Sequence, residues 1–172
     1  MESMPRQLFA RYHLRVYRYF LGHERRAVAE ELAQDVFLRV IKSMETYEPR
    51  GREVAWLFTI ARRVLLDFRR QHYRERTLTR PQVEGVESRS GPRQFTRMSI
   101  RETLSGLPEA QRDAFLLREV SGLSYAEIAT LRDISPSAVR SLLHRARQSL
   151  RAALADQHHE EGYRKHVHTT RP

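Results

Sequence analysis

The chain of 172 residues contains no cysteine, which excludes disulfide bonds and thiolate metal sites. It also lacks any run approaching the roughly 18 consecutive apolar residues of a membrane-spanning helix. Where a secretory signal would be apolar, the first twenty residues carry Arg6, Arg11, Arg15 and Arg18. We therefore expect a cytoplasmic protein that does not insert into a membrane.

Lysine is scarce as well, although the chain is strongly basic. Of its 31 Lys and Arg residues, all but Lys42 and Lys165 are arginine, and the formal net charge is +10. A polycation of this kind favours nucleic acid or anionic membrane surfaces as partners. The arginine fork suits phosphate and guanine, but a GC-rich genome produces the same bias, so composition alone does not separate these causes.

Apolar residues recur at helical spacing, and no convincing β alternation is present. One series consists of Leu32, Val36, Phe37, Val40, Ile41 and Met44. A second follows a chain-breaking stretch at residues 47–51 and consists of Trp56, Leu57, Ile60, Ala61, Val64, Leu65 and Phe68. With an earlier helix at about residues 7–21, these series predict an N-terminal three-helix unit.

A second helical unit is predicted to begin near Ser99. Its small core would contain Leu107, Phe115, Leu116, Val120, Leu123, Ile128 and Leu131. Between the units, residues 71–97 hold two prolines, two glycines and few large apolar residues. We predict an all-α protein of two small helical domains joined by a flexible linker, with boundaries at 1–73, 74–98 (the linker) and 99–155, followed by a polar tail at 156–172.

The second unit contains the signals of a helix-turn-helix. Ser124 and Glu127 have the spacing of a capping box at the start of one helix. Asp133 stands at the corner, where a residue that tolerates the left-handed region is needed. Ser135 caps the next helix, and Pro136 occupies its first position, where proline costs least.

That last helix has two distinct faces at about 100° per residue. The face predicted to be buried carries Val139, Leu143, Ala146 and Leu150. The opposite face could enter a DNA major groove and carries Ser137, Arg140, Ser141, His144, Gln148 and Arg151. The alternative is a solvated face on a structural helical hairpin.

Four segments resemble one family: "EELAQDVFLRVIKSMETYEP", "VAWLFTIARRVLLDFRR", "LPEAQRDAFLLREVSGLSYAEIA" and "VRSLLHRAR". They look like the extracytoplasmic-function group of bacterial sigma factors, which retain regions 2 and 4 of the sigma-70 family. The resemblance covers about residues 8 to 154. It implies a non-enzymatic protein that binds core RNA polymerase, at the β′ clamp coiled coil and the β flap, and directs it to the −10 and −35 elements of promoter DNA. It also implies an anti-sigma factor as a partner.

The resemblance assigns roles to particular residues. Glu31, Gln34 and Asp35 match the positions that dock onto the β′ clamp coiled coil, although by themselves they would be a solvated acidic stripe. For the −10 element, the base-capturing loop would supply Tyr47, Arg50 and Arg52, and the following helix Trp56, Arg62, Arg63, Arg69 and Arg70. Tyr47 could equally staple a helix end, and Trp56 could equally belong to the core.

For the −35 element, Arg140, Ser141, His144 and Arg145 match DNA-facing positions, Ser137 shares their face, and Arg147 matches a backbone-contacting arginine. The chain departs from the family pattern at three positions. Arg63 stands where asparagine is frequent, Leu142 where a basic residue is frequent, and Asp133 where glycine is usual. We expect the family's promoter consensus not to transfer unchanged, and Leu142 to remove one phosphate contact.

Functions of other classes are less consistent with this sequence. A recombinase or nuclease would need a nucleophile or a metal site, and the residue spacing suggests neither, so no metal or other cofactor is expected. The tail also contains His158, His159, His166 and His168, which could bind a metal. A polar, histidine-rich tail without a core or cysteines is more often simply solvated. A stand-alone helix-turn-helix regulator would need a dimer seam, and no heptad pattern supplies one. An anti-sigma decoy would not need the groove-facing Arg140, Ser141 and His144.

Overall fold

The computed structural model describes residues 4–43, 51–78 and 100–167, and the side chains of residues 76, 78, 100 and 156–167 lie outside that description. Over these ranges the chain forms seven helices and no strand. The helices belong to two compact units, Met1–Phe95 and Thr96–Pro172. The predicted fold class, all-α with two helical domains, is confirmed.

The first unit contains α1 (Met4–Leu21), α2 (Arg26–Ser43) and α3 (Glu53–Leu78). α2 packs against both of the other helices. The three helices share one apolar core, and its fully buried members include Val16, Tyr19, Phe20, Val36, Leu57, Phe58 and Leu65. Each such side chain stabilises the unit by about 1.5–3 kcal/mol relative to exposure. The side of α2 that faces away from this core is left exposed.

One prediction about the α2 core is wrong. Ile41 belongs to the apolar series predicted to be buried, but it is 56% exposed, whereas Val40 is fully buried. Val40 lies close to Val36 on the buried stripe, whereas Ile41 lies about 100° farther round the helix, beyond the edge of that stripe. Met44 lies outside the described residues, while Trp56 and Phe68 are half-buried.

The third helix is longer than its apolar pattern predicts. The pattern lapses near Gln71, but α3 continues to Leu78. Its last turns are exposed and are held by local contacts: Gln71 Nε2 donates to Glu75 Oε1 at 3.1 Å, and Thr77 Oγ1 donates to the Tyr73 carbonyl at 2.8 Å. Apolar periodicity does not detect a helical segment that buries no apolar face.

The second unit contains α4 (Ile100–Ser105), α5 (Glu109–Glu119), α6 (Tyr125–Arg132) and α7 (Pro136–Val167). α7 packs against both α5 and α6. The buried core includes Leu107, Leu116, Leu117, Leu123, Ile128, Val139 and Leu143. Three residues predicted for this core, Phe115, Val120 and Leu131, are only half-buried.

The corner between α6 and α7 has the predicted geometry. Ser124 and Glu127 form a complete capping box at the start of α6. Asp133 ends that helix in the left-handed region, with φ 54° and ψ 50°. Ser135 Oγ accepts a hydrogen bond from the Ala138 N–H at 3.1 Å, so it caps α7 as expected. These local signals fix the direction in which α7 leaves the corner.

The conformation of Asp133 leads to a stability prediction. An L-residue in the left-handed region is disfavoured by about 1 kcal/mol relative to glycine, and more if it is β-branched. We therefore expect Asp133→Gly to raise the free energy of unfolding by about 0.5–1 kcal/mol and Asp133→Val to lower it by about 1–2 kcal/mol. Urea unfolding of both variants measures this, and equal stabilities would show that the corner relaxes without cost.

α7 continues to Val167, into the segment predicted as a polar tail. Its buried stripe follows the prediction, since Val139, Leu143 and Ala146 are fully buried, and Leu150 is half-buried. Of the helices in the described part of the chain, none combines the length and apolar character that crossing a membrane requires.

Candidate functional site

The exposed side of α2 carries the three residues predicted to dock onto polymerase. Glu31 and Gln34 are exposed and Asp35 is half-buried, and their spacing of three and four places them on one helix face. Leu38 lies on the same face and is 58% exposed. We call Glu31, Gln34, Asp35 and Leu38 the α2 face. Leu38 was not predicted to belong to this face, although its position three residues after Asp35 places it there.

The chain segment that enters α3 is anchored to α1. Tyr47 and Arg50 lie outside the described residues, and Arg52 is exposed. The next residue, Glu53, accepts hydrogen bonds from the Tyr12 hydroxyl and from Arg11 Nη1, the latter at 2.9 Å. Burial, together with the hydrogen bond to Glu53, raises the pKa of Tyr12 above its ordinary value, so this phenol stays protonated as the donor. The anchor fixes where the predicted base-capturing loop ends.

The predicted −10 arginines lie on the outer side of α3 as two pairs, each seven residues apart. Arg63 and Arg70 are exposed, whereas Arg62 and Arg69 are half-buried. Arg69 Nε donates to Glu24 Oε1 at 3.4 Å, and so part of its charge is already matched within the fold. Arg70 Nη2 likewise donates to Asp67 Oδ1, at 3.3 Å, so it is exposure that makes Arg63 and Arg70 the better placed of the four to reach DNA phosphate.

A cleft of about 540 Å³ lies toward the end of α3 and includes one of these arginines, Arg69. It is lined by Glu24, Phe68, Arg69, His72, Tyr73 and Thr77. Tyr73 is 74% exposed, and sequence reasoning gave it no role. An aromatic ring among arginines is a feature of surfaces that bind single-stranded nucleic acid, because the ring can stack on a base while guanidinium groups hold the backbone.

The exposed face of α7 brings together the predicted −35 residues. Ser137, Arg140, Ser141, His144 and Arg145 are all exposed, on the side opposite the buried stripe. Arg140 and His144 are four residues apart, so they form one ridge along the helix. Ser141 Oγ donates to the Ser137 carbonyl at 3.1 Å, which leaves its oxygen lone pairs outward as acceptors. This arrangement is able to present donors and acceptors to base edges.

Arg147 differs from the other predicted −35 residues. It is half-buried, and its Nη2 donates to Glu119 Oε1 on α5 at 2.8 Å. This hydrogen bond raises the pKa of Arg147 further above its ordinary value. An Arg147 contact with a phosphate would have to share the guanidinium with Glu119.

The structure also bears on a metal site. No group of three or more His, Asp or Glu side chains that could hold a metal ion occurs within the ranges that the structure describes. The side chains of His158, His159 and His166, and the whole of His168, lie outside those ranges.

Each of the two units contains a match to a known family model. Residues 8–75 match the family model described as sigma-70 region 2, and residues 97–150 match the model described as sigma-70 region 4. The first match contains the α2 face and most of α3, and the second contains the helix-turn-helix. Together the two matches cover more than half of the chain.

Two similar proteins are RNA polymerase sigma factors. The RNA polymerase sigma factor CarQ of Myxococcus xanthus is 36% identical over 155 residues, which are 87% of this chain and 88% of CarQ. The ECF RNA polymerase sigma factor SigM of Bacillus subtilis is 29% identical over 85% of this chain and 92% of its own.

Two solved structures share the fold. The sigma factor RpoE of Bartonella quintana, in complex with the anti-sigma factor NepR, has a TM-score of 0.72 at 24% identity, over 87% of this chain and 96% of that one. The protein CnrH, in complex with the cytosolic domain of CnrY, has a TM-score of 0.65 at 23% identity, over 88% of each chain. From the two regional matches and the identity to CarQ, the chain belongs to the sigma-70 family, as an RNA polymerase sigma factor of the extracytoplasmic-function group.

Proposed function

We propose a division of labour between the two units of this sigma factor. The first unit docks onto the β′ clamp coiled coil through the α2 face and binds the −10 element with the segment entering α3 and with α3 itself. The second unit reads the −35 element with α7 and meets the β flap. The protein itself catalyses no step, since polymerase performs the chemistry, and it works in the cytoplasm, where polymerase and promoter meet.

One observation carries this proposal. The two units present surfaces of opposite character: the α2 face combines two carboxylates with an exposed leucine, whereas the face of α7 carries arginine, serine and histidine. An acidic and apolar surface is unsuited to DNA, because phosphate would be repelled. It is suited to a protein partner with basic and apolar groups. A stand-alone DNA-binding regulator would have no use for such a face.

Within the first unit, we assign contacts by exposure. Glu31 and Asp35 would pair with basic groups of the clamp, Gln34 would supply hydrogen bonds, and Leu38 would be buried on docking. Arg52, Arg63 and Arg70 would contact the DNA backbone near the −10 element. Tyr47 and Arg50 keep their proposed roles in base capture on the strength of the resemblance, and Trp56, which is half-buried, can offer only part of its side chain to DNA.

Within the second unit, Arg140, Ser141 and His144 would contact base edges, and Ser137, Arg145 and Arg147 would contact phosphates. Arg140 is the strongest candidate for direct readout, because arginine binds guanine O6 and N7 with two parallel hydrogen bonds.

We also propose that an anti-sigma factor regulates this protein. The structures of RpoE and CnrH, which share its fold, contain NepR and CnrY respectively. An inhibitor of this kind would compete with polymerase if it covered the α2 face. The chain would then be released only when its inducing signal removes the inhibitor.

The absence of cysteine allows a direct test of which unit meets which element. A single cysteine introduced by Gln71→Cys on α3 or by Ser149→Cys on α7, both at exposed positions, can carry a DNA-cleaving reagent. In complexes with core polymerase and promoter, we expect cleavage near −10 from the first variant and near −35 from the second. The unmodified chain, which has no attachment site, is the control. Exchanged or coincident cleavage positions would contradict the proposal.

A further inference from the structure

Four charged side chains of α2 and α3 form an alternating chain of ion pairs. Asp35 Oδ2 lies 3.0 Å from Arg39 Nη2, and Arg39 Nη1 donates to Asp67 Oδ2 at 2.9 Å. Asp67 Oδ1 in turn accepts from Arg70 Nη2 at 3.3 Å. We call these four residues the charge chain. Its two ends are a proposed docking residue, Asp35, and a proposed DNA-binding residue, Arg70.

The two middle residues of the charge chain are each shared between two partners. Arg39 uses different terminal nitrogens for Asp35 and Asp67, and Asp67 uses different oxygens for Arg39 and Arg70. The four side chains are between 39% and 68% exposed, so each contact is weak and can be exchanged for an outside partner. The hydrogen bond with Asp67 is the main cause that raises the pKa of Arg39, and Asp35 contributes less.

We propose that the charge chain couples polymerase docking to binding of the −10 DNA. When a basic group of the clamp binds Asp35, Arg39 pairs with Asp67 alone. The ion pair between Asp67 and Arg70 then weakens. Arg70 then becomes more available to a phosphate. The inference rests on the proposed roles of Asp35 and Arg70, and in it Arg39 is a positioning residue that need not touch either partner.

DNA binding should in turn favour polymerase docking. A phosphate that takes Arg70 leaves Asp67 wholly to Arg39, and Asp35 is released toward the clamp. Because equilibrium coupling between two sites is reciprocal, each partner increases the affinity for the other by the same factor. A change at Asp67 or Arg70 should therefore alter the affinity for polymerase, even without DNA.

The test is the affinity of single variants for core polymerase in the absence of DNA, measured by fluorescence anisotropy of labelled protein. Asp67→Asn should weaken binding about two- to fivefold, because Arg39 then pairs only with Asp35 and neutralises it. Arg70→Gln should have the opposite effect and tighten binding by up to about twofold. If Asp67 had only a structural role, Asp67→Asn and Arg70→Gln would not change the affinity for polymerase in opposite directions.

Two matched variants separate the charge chain from a general effect of charge. In an Arg39→Gln background, both Asp67→Asn and Arg70→Gln should leave the affinity unchanged, because the connecting residue is missing. Glu75→Gln removes the same charge from α3 outside the charge chain and should have no effect; it lies beside Gln71 and His72.

The outcomes distinguish the coupling from the docking proposal. If Asp35→Asn does not weaken binding to polymerase, the docking role of Asp35 is wrong. If Asp35→Asn weakens binding but Asp67→Asn does not, the docking role stands and the coupling is overturned. An effect of Asp67→Asn that persists in the Arg39→Gln background also overturns it. Should Asp67→Asn unfold, as shown by circular dichroism, Arg70→Gln and its Arg39→Gln double variant decide the question by themselves.

Discussion

Reversing two charges of the α2 face, with Glu31→Lys and Asp35→Lys together, is expected to abolish binding to core polymerase. The double variant replaces two negative charges with two positive ones on the surface proposed to meet a basic part of the clamp. Like charges placed together at an interface cost several kcal/mol, which corresponds to a loss of affinity of at least about 100-fold. Titration of core polymerase with the labelled variant measures the loss.

The same variant is expected to remain folded. Glu31 is exposed, and Asp35 loses only its exposed ion pair with Arg39, so the free energy of unfolding should fall by about 1 kcal/mol or less. The matched control is Glu75→Lys with Glu102→Lys, which adds the same charge at exposed positions that are not part of the α2 face and should bind normally. Unfolding of the α2 variant would indicate a structural role for its carboxylates, and normal binding would place the docking surface elsewhere.

Removing the Arg140 guanidinium from the α7 face is the second change with a large expected effect. Arg140→Ala should cost about 1–3 kcal/mol of promoter affinity at one base pair of the −35 element, because a bidentate contact to a base would be lost. At that position the variant should tolerate other bases. Gel-shift titrations of polymerase holoenzyme against promoters with single substitutions across the −35 element measure both quantities.

Arg145 provides the matched control, because it is also an exposed arginine of α7 but lies at the flank of the same face. Arg145→Ala should weaken binding about equally for all sequences and reduce the slope of log affinity against log salt by about one. If Arg140→Ala behaves in the same way, Arg140 is a phosphate ligand, and the direct readout belongs to its neighbours Ser141 and His144.

The local parts of the fold could be predicted from the sequence. Capping and left-handed turns depend on one or a few adjacent residues, and so Ser124, Glu127, Asp133 and Ser135 sufficed to predict the corner before α7. The buried and exposed faces of α7 followed from spacing alone, since a helix repeats every 3.6 residues. Spacing did not suffice for Ile41, because a run of adjacent apolar residues does not say which of them faces the core.

The contacts between distant residues could not be predicted in this way. Arg39 and Asp67 are 28 residues apart, as are Arg147 and Glu119, and Tyr12 and Glu53 are 41 apart. Such pairs depend on how helices cross, which a single sequence with apolar periodicity does not determine. The sequence therefore predicted which charges lie on the surface of each unit, whereas the structure was needed to show which of them neutralise one another.

The most direct test of promoter-directed initiation by this protein is run-off transcription with purified core polymerase and a genomic promoter pool. We expect this protein to confer specific initiation on a limited set of promoters, and the Glu31→Lys, Asp35→Lys variant to confer none. Core polymerase alone is the negative control, and a known sigma factor with its own promoter is the positive one. If the reconstituted polymerase starts at no promoter while the known sigma factor works, the proposed role in promoter recognition is contradicted.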